Sequence, residues 1–139
     1  MRLIVLSGPI GVGKTSFGNV LIDLFGATRV STRSWLLART GCRNERSALQ
    51  VAGDKMDAEN GGAWVADAVE DATQPEHGSL LLLDSARIEG QVQALRARFL
   101  DAVFHVHLNA DSAELEHRYL KRKSELKVEL PRFDGRVGA

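Results

Sequence analysis

Eight residues near the amino terminus, Gly8-Pro9-Ile10-Gly11-Val12-Gly13-Lys14-Thr15, fit the spacing G-x-x-x-x-G-K-[ST]. Glycines let the backbone curl until several N–H groups face one concavity. A helix opening just after them aims its positive end at the same place. Lys14 adds an ammonium that reaches the β- and γ-phosphates of a nucleoside triphosphate, and the Thr15 hydroxyl supplies an oxygen ligand for Mg²⁺. Gly11 is a further small residue inside the turn. The segment is expected to bind ATP with Mg²⁺ through Gly8, Gly11, Val12, Gly13, Lys14, Thr15 and Ser16.

A second chemical feature is Leu80-Leu81-Leu82-Leu83-Asp84, an apolar run that ends in a carboxylate. Beside a phosphate-binding loop, such a carboxylate holds Mg²⁺ through water or acts on the attacking group. Lys14 and Asp84 are therefore expected to be catalytic, with Thr15 and Asp84 as the metal ligands. Arg118 and Arg122 stand four residues apart and project from one helix face. Closing over the γ-phosphoryl oxygens, they would stabilise charge that builds in the transition state. A surface pair between Glu114 and Arg118 is the competing reading of the same helix.

These residues need elements to place them. Residues 3–6 are continuously apolar and read as a buried central strand. Phe17, Val20, Leu21, Leu24 and Phe25 follow at helical spacing as one apolar face, with Gly26 as the stop. Residues 28–31 suit a short second strand. Three helices follow over 33–40, 46–59 and 63–72, separated by Gly41 and the Gly61-Gly62 pair, with Trp64, Val65, Ala68 and Val69 as the packing face of the last. A turn is expected at 75–78 and an interior strand over 79–83. Ile88, Val92, Leu95 and Phe99 mark the next helix, and residues 102–108 another strand. Asp111-Ser112-Ala113-Glu114 resembles a capping box opening a helix that runs to about Arg122. Strands alternating with helices predict an α/β fold around a parallel sheet. The segment from Pro131 onward has neither periodicity.

The chain has 139 residues, enough for a single domain over 1–139. It is 44% hydrophobic and 26% charged, and its 18 basic side chains balance its 18 acidic ones. No global field draws it to nucleic acid or an anionic membrane, and neither is expected as a partner. Thirteen of the basic residues are Arg, the better bidentate partner for phosphate. Cys42 is the only cysteine, so no intrachain disulfide forms, and the cytoplasm is the expected compartment. No apolar run approaches the ~20 residues that span a bilayer. His105 and His107 share one face of their strand, where structural histidines are favoured over a metal pair. Trp35 and Trp64 read as core before acceptor-pocket walls. Lys121-Arg122-Lys123 is too short to indicate nucleic-acid binding.

The sequence has no N/T-K-x-D motif for reading guanine and no ABC-type signature, and it is short for a motor ATPase. Three stretches then carry a family resemblance: residues 6–15, Arg46-x-x-Leu49-Gln50-x-x-Gly53-Asp54, and Asp84-x-x-Arg87 with Val92 and Leu95-Arg96 downstream. Over roughly residues 1–125 the chain resembles the P-loop nucleoside monophosphate kinase superfamily, and within it the dephospho-CoA-kinase-like members. The resemblance implies a Rossmann-like, three-layer α/β/α fold with a parallel sheet ordered 2-3-1-4-5. It places an acceptor-binding helical insert at about 32–74, containing Arg33, Arg46, Gln50 and Asp54. Arg87 would clamp an acceptor phosphate or carboxylate, and a lid would begin with Arg118 and Arg122, over about 118–136. The implied activity is transfer of the γ-phosphate of Mg·ATP to a small nucleotide-like acceptor.

Two positions depart from that family. Ser85 stands where it often has Gly, and no fifth strand and last helix follow the lid. The expected sheet order is therefore 2-3-1-4, in a fragment, a truncated product, or the amino-terminal part of a larger chain. An exposed strand-4 edge would invite a homodimer or a longer partner. The alternative function is a non-catalytic or regulatory ATP-binding module.

Overall fold

Leu3, Val5 and Leu6 are buried completely because their strand is the middle of the sheet. β1 (Arg2–Ser7) runs parallel to β3 (Leu80–Leu83) on one side and to β4 (Val103–His107) on the other. β2 (Thr28–Arg29) pairs with the outer side of β3, also in parallel, giving the order β2-β3-β1-β4. The expected order 2-3-1-4 is thus the observed one. The computed structural model describes residues 1–73 and 80–126. The expected turn at 75–78 with His77, position 79, the lid beyond 126 and the segment from Pro131 lie outside those residues. Among the described residues, β4 and β2 are the sheet edges.

Among the described residues six α-helices accompany the sheet: α1 (Lys14–Phe25), α2 (Thr32–Thr40), α3 (Arg46–Asn60), α4 (Ala63–Ala72), α5 (Glu89–Phe99) and α6 (Ser112–Leu126). Their ends follow local chemistry. Ser31 accepts a hydrogen bond from the Ser34 amide to cap α2, and Asp111 accepts one from the Glu114 amide to open α6. Gly26, Gly41 and Gly61 close α1, α2 and α3 in the left-handed conformation that glycine adopts without a Cβ clash.

Alternating residues of the strands face opposite ways, so the sheet has two cores. Leu3, Val5, Leu81 and Leu83 pack with Leu36, Trp64, Val65, Val69, Val92 and Leu95 from α2, α4 and α5. On the other face, Leu6 and Leu82 meet Leu21 and Ile22 of α1 in a smaller cluster with Ile4, Leu80 and Val106. Helices on both faces of a parallel sheet are compatible with a three-layer α/β/α arrangement. No helix among the described residues is long and apolar enough to cross a membrane.

The apolar face expected of α1 is corrected by this packing. Only Leu21 of that set packs inward, whereas Phe17, Val20, Leu24 and Phe25 are 39% to 72% exposed. The helix instead turns the edge carrying Gly18 and Ile22 to the sheet; Gly18 is buried there. A Cβ on Gly18 would stand 3.0 Å from Leu82 Cδ2, so the missing side chain sets how closely helix and strand approach. Ile88 is a smaller correction: it sits just before α5 at 37% exposure, while Val92 and Leu95 are buried.

Candidate functional site

The turn after β1 is built by three glycines with positive φ: Gly8 at 146°, Gly11 at 84° and Gly13 at 103°. Gly8 is restricted twice, because a Cβ there would also meet the Leu108 carbonyl oxygen at 2.5 Å. The Val12 amide donates to the Pro9 carbonyl and tightens the turn, and the Phe17 amide donates to Gly13 to begin α1. The amides of Lys14, Thr15 and Ser16 belong to the first helical turn and have no carbonyl one turn back within α1. They form the donor set that accepts an anion at a helix amino terminus.

Lys14 is half-buried, and its ammonium donates to the Gly8 carbonyl at 2.5 Å, folding back across the loop. Burial holds its pKa below the ordinary value, and the nearby Asp84 carboxylate opposes that shift. Thr15 and Ser16 are exposed at the helix start. Asp84 follows the last residue of β3, and its side chain is 19% exposed. The carboxylate of Asp84 and the hydroxyl of Thr15 are hard oxygen donors of the kind Mg²⁺ takes alongside water and phosphate. Among the described residues, no group of three or more His, Cys, Asp or Glu gathers as an all-protein metal site.

Seven of the expected residues meet in one place. Gly8 and Lys14 from the loop, Arg33 from α2, Arg46, Gln50 and Asp54 from α3, and Arg87 from the segment after β3 all line a single cavity of about 680 Å³. Leu36, Leu49 and Trp64 give it an apolar wall. Trp64 is only 4% exposed and stands 5.6 Å from Trp35 between ring centroids, so it serves core and cavity together. Arg87 is engaged within the cavity, in an ion pair with Asp54. Arg33 donates to Asn44.

Arg118 contacts both its own helix and the loop. Its Nε donates to Glu114 at 2.9 Å, while Nη1 donates to the Gly11 carbonyl at 3.2 Å. The surface ion pair thus forms, and it holds the guanidinium against the loop. No contact with the loop is made by Arg122: its side chain is exposed and, among the described residues, makes no hydrogen bond or ion pair. His105 Nε2 and His107 Nδ1 both lie against the buried Ser7 hydroxyl, at 2.7 and 2.8 Å. That shared oxygen accounts for both rings on one strand face.

Sequence reasoning overlooked Arg29, Asp57 and Gln91. Arg29 of β2 donates to Asp84 at 2.9 Å. Gln91 is 2% exposed; it accepts from the Arg87 amide at 2.8 Å and donates to Asp57 at 2.9 Å. Asp57 also accepts from the Trp64 indole at 2.7 Å. A signal existed for Asp57, one helical turn beyond Asp54. No local pattern reveals Arg29, because its partner lies 55 positions away. A scan against protein-family models matched none, and a search of curated proteins found no match.

Proposed function

We propose that this protein is a P-loop phosphotransferase of the nucleoside monophosphate kinase type, moving the γ-phosphate of Mg·ATP to a small nucleotide-like acceptor. The observation that carries this reading is the shared cavity: loop residues suited to the donor phosphates and three arginines suited to an anionic acceptor line the same space. A donor and an acceptor held face to face are what an in-line phosphoryl transfer requires.

In this reading the loop amides and Lys14 hold the β- and γ-phosphates. Thr15 and Asp84 would hold a Mg²⁺ ion, which would supply charge neutralisation on the phosphate oxygens. An acceptor phosphate oxygen, already deprotonated, supplies the electron pair for the new bond to phosphorus, so no proton has to be removed. The bond from phosphorus to the bridging oxygen breaks, and ADP leaves with that electron pair. Arg33, Arg46 and Arg87 orient the acceptor, with Gln91 positioning the Arg87 backbone. Arg118 lies close enough to the loop to stabilise the transferring group.

The deciding experiment is ATP binding by titration calorimetry, with wild type and Lys14→Ala compared. Wild type is expected to bind ATP and the variant to lose at least tenfold in affinity. Equal affinities would overturn the nucleotide-binding reading. A second reading, a nucleotide-binding module without catalysis, is favoured by one observation: Arg87 already has an acidic partner in the acceptor cavity.

A further inference from the structure

We propose that Arg29 is a positioning residue and counter-ion for Asp84, setting how far ATP binding at the loop depends on a divalent cation. The proposal rests on the nucleotide-binding reading above. Arg29 pairs in register with Leu82, so its side chain leaves β2 on the α1 side of the sheet. There the guanidinium crosses Gly18: a Cβ on that glycine would stand 2.8 Å from Arg29 Nη2 and 3.6 Å from Asp84 Oδ2.

Two anchors fix the guanidinium. Its Nε donates to Asp84 Oδ2 at 2.9 Å, and Nη2 donates to Asn19 Oδ1 at 3.1 Å. The side chains of Arg29 and Asp84 are 35% and 19% exposed, so solvent screens the carboxylate less than it screens an open surface pair. The glycine in α1 makes room for the cation, the asparagine one residue on aims it, and the strand-end aspartate receives it.

The consequence is electrostatic. Asp84 acts on Lys14, and so its charge is felt at the loop. With Arg29 in place that charge is partly neutralised, and a polyphosphate without metal meets less repulsion. Without Arg29, bare ATP meets the full carboxylate charge, whereas Mg·ATP brings its own neutralising cation. Loss of Arg29 therefore weakens metal-free ATP binding more than Mg·ATP binding.

The test measures ATP affinity calorimetrically in excess Mg²⁺ and in EDTA and takes the ratio of the first to the second. Arg29→Met should enlarge that ratio about tenfold over wild type, the scale of one partly shielded charge at close range. Arg29→Lys, which keeps the charge, should restore most of the wild-type ratio. The proposal is overturned if Arg29→Met lowers both affinities equally or leaves the ratio within twofold of wild type. It is overturned too if the lysine behaves as the methionine does. Failure of wild type to bind ATP at all would remove the nucleotide-binding reading and this proposal together, whereas an unchanged ratio on a wild type that binds removes the proposal alone.

Discussion

Arg87 and Asp54 form an ion pair across the cavity that the loop shares with α3, with Arg87 Nη2 and Asp54 Oδ1 2.5 Å apart. Both side chains remain about half exposed, at 46% and 57%. An ion pair so open to water contributes at most about 1 kcal/mol to stability. Its larger effect is on binding, because Asp54 competes with any anionic acceptor for the guanidinium. Asp54→Asn is expected to change unfolding free energy by less than about 1 kcal/mol. It should also tighten binding of a nucleoside monophosphate several-fold, while Arg87→Ala weakens it. Urea denaturation and calorimetry on the two variants measure this. A stability loss well beyond that limit, with anion binding unchanged, would make the pair a structural brace.

Catalysis is tested separately from binding. Nucleoside monophosphates, dephospho-CoA and small alcohols are screened for ADP release that depends on Mg·ATP. At least one nucleotide-like acceptor is expected to raise turnover above the ATP-only background. Arg118→Ala should then lower kcat by 10- to 1,000-fold with little change in ATP affinity, as for a group that acts on transition-state charge. ATP binding without turnover on any acceptor would leave the non-catalytic module as the surviving reading.

On the proposed reading, the half-buried Lys14 should make ATP binding sensitive to alkaline pH. Burial lowers its pKa from 10.5, so the folded protein releases this proton at a lower pH than the unfolded chain does. The unfolded chain binds more protons between the lowered value and 10.5, and the contribution of Lys14 to stability rises with pH through that window. Phosphate binding requires the ammonium and should fall over the same window. Lys14→Arg keeps its charge there and should flatten the alkaline limb of an ATP-affinity profile. An identical limb in both proteins would show that another group is titrating.

The α/β class was legible because continuous apolar runs such as Leu80 to Leu83, set between helical patterns, suit a doubly covered parallel sheet, whereas the strand order came from the family resemblance and not from the runs. The loop was legible because its chemistry lies within eight consecutive residues. What failed to show was long-range or depended on cover. Arg29 and Asp84 meet only once β2 is paired with β3, and Gln91 of α5 finds Asp57 of α3 only once the chain has folded back across 34 positions. For α1, periodicity identified which side is apolar but not whether anything covers it. That difference is measurable. Leu24, at 72% exposure, should tolerate Leu24→Glu within about 0.5 kcal/mol. Leu82→Ala, at a fully buried position, should cost roughly 2–5 kcal/mol in urea denaturation. A large loss from Leu24→Glu would mean that the helix face is covered in solution.

Two neighbouring glycines separate backbone strain from close packing. Gly61 has φ 67° with open space where a Cβ would go; Ala there should cost about 1 kcal/mol from the left-handed conformation alone. Gly62 has φ 95°, and a Cβ would meet the Gln91 amide nitrogen at 2.7 Å and Gln91 Cγ at 2.8 Å. Gly62→Ala must therefore push α5 away from the start of α4, and it should cost about 3 kcal/mol or more. Gln91 is also the residue that accepts from the Arg87 amide and donates to Asp57. Displacing it should loosen Arg87 and weaken nucleoside monophosphate binding, an effect that Gly61→Ala should lack. Urea denaturation with calorimetry on both variants checks the pair of outcomes. Equal stability losses, or anion binding untouched in Gly62→Ala, would mean that Gln91 does not transmit packing to the cavity.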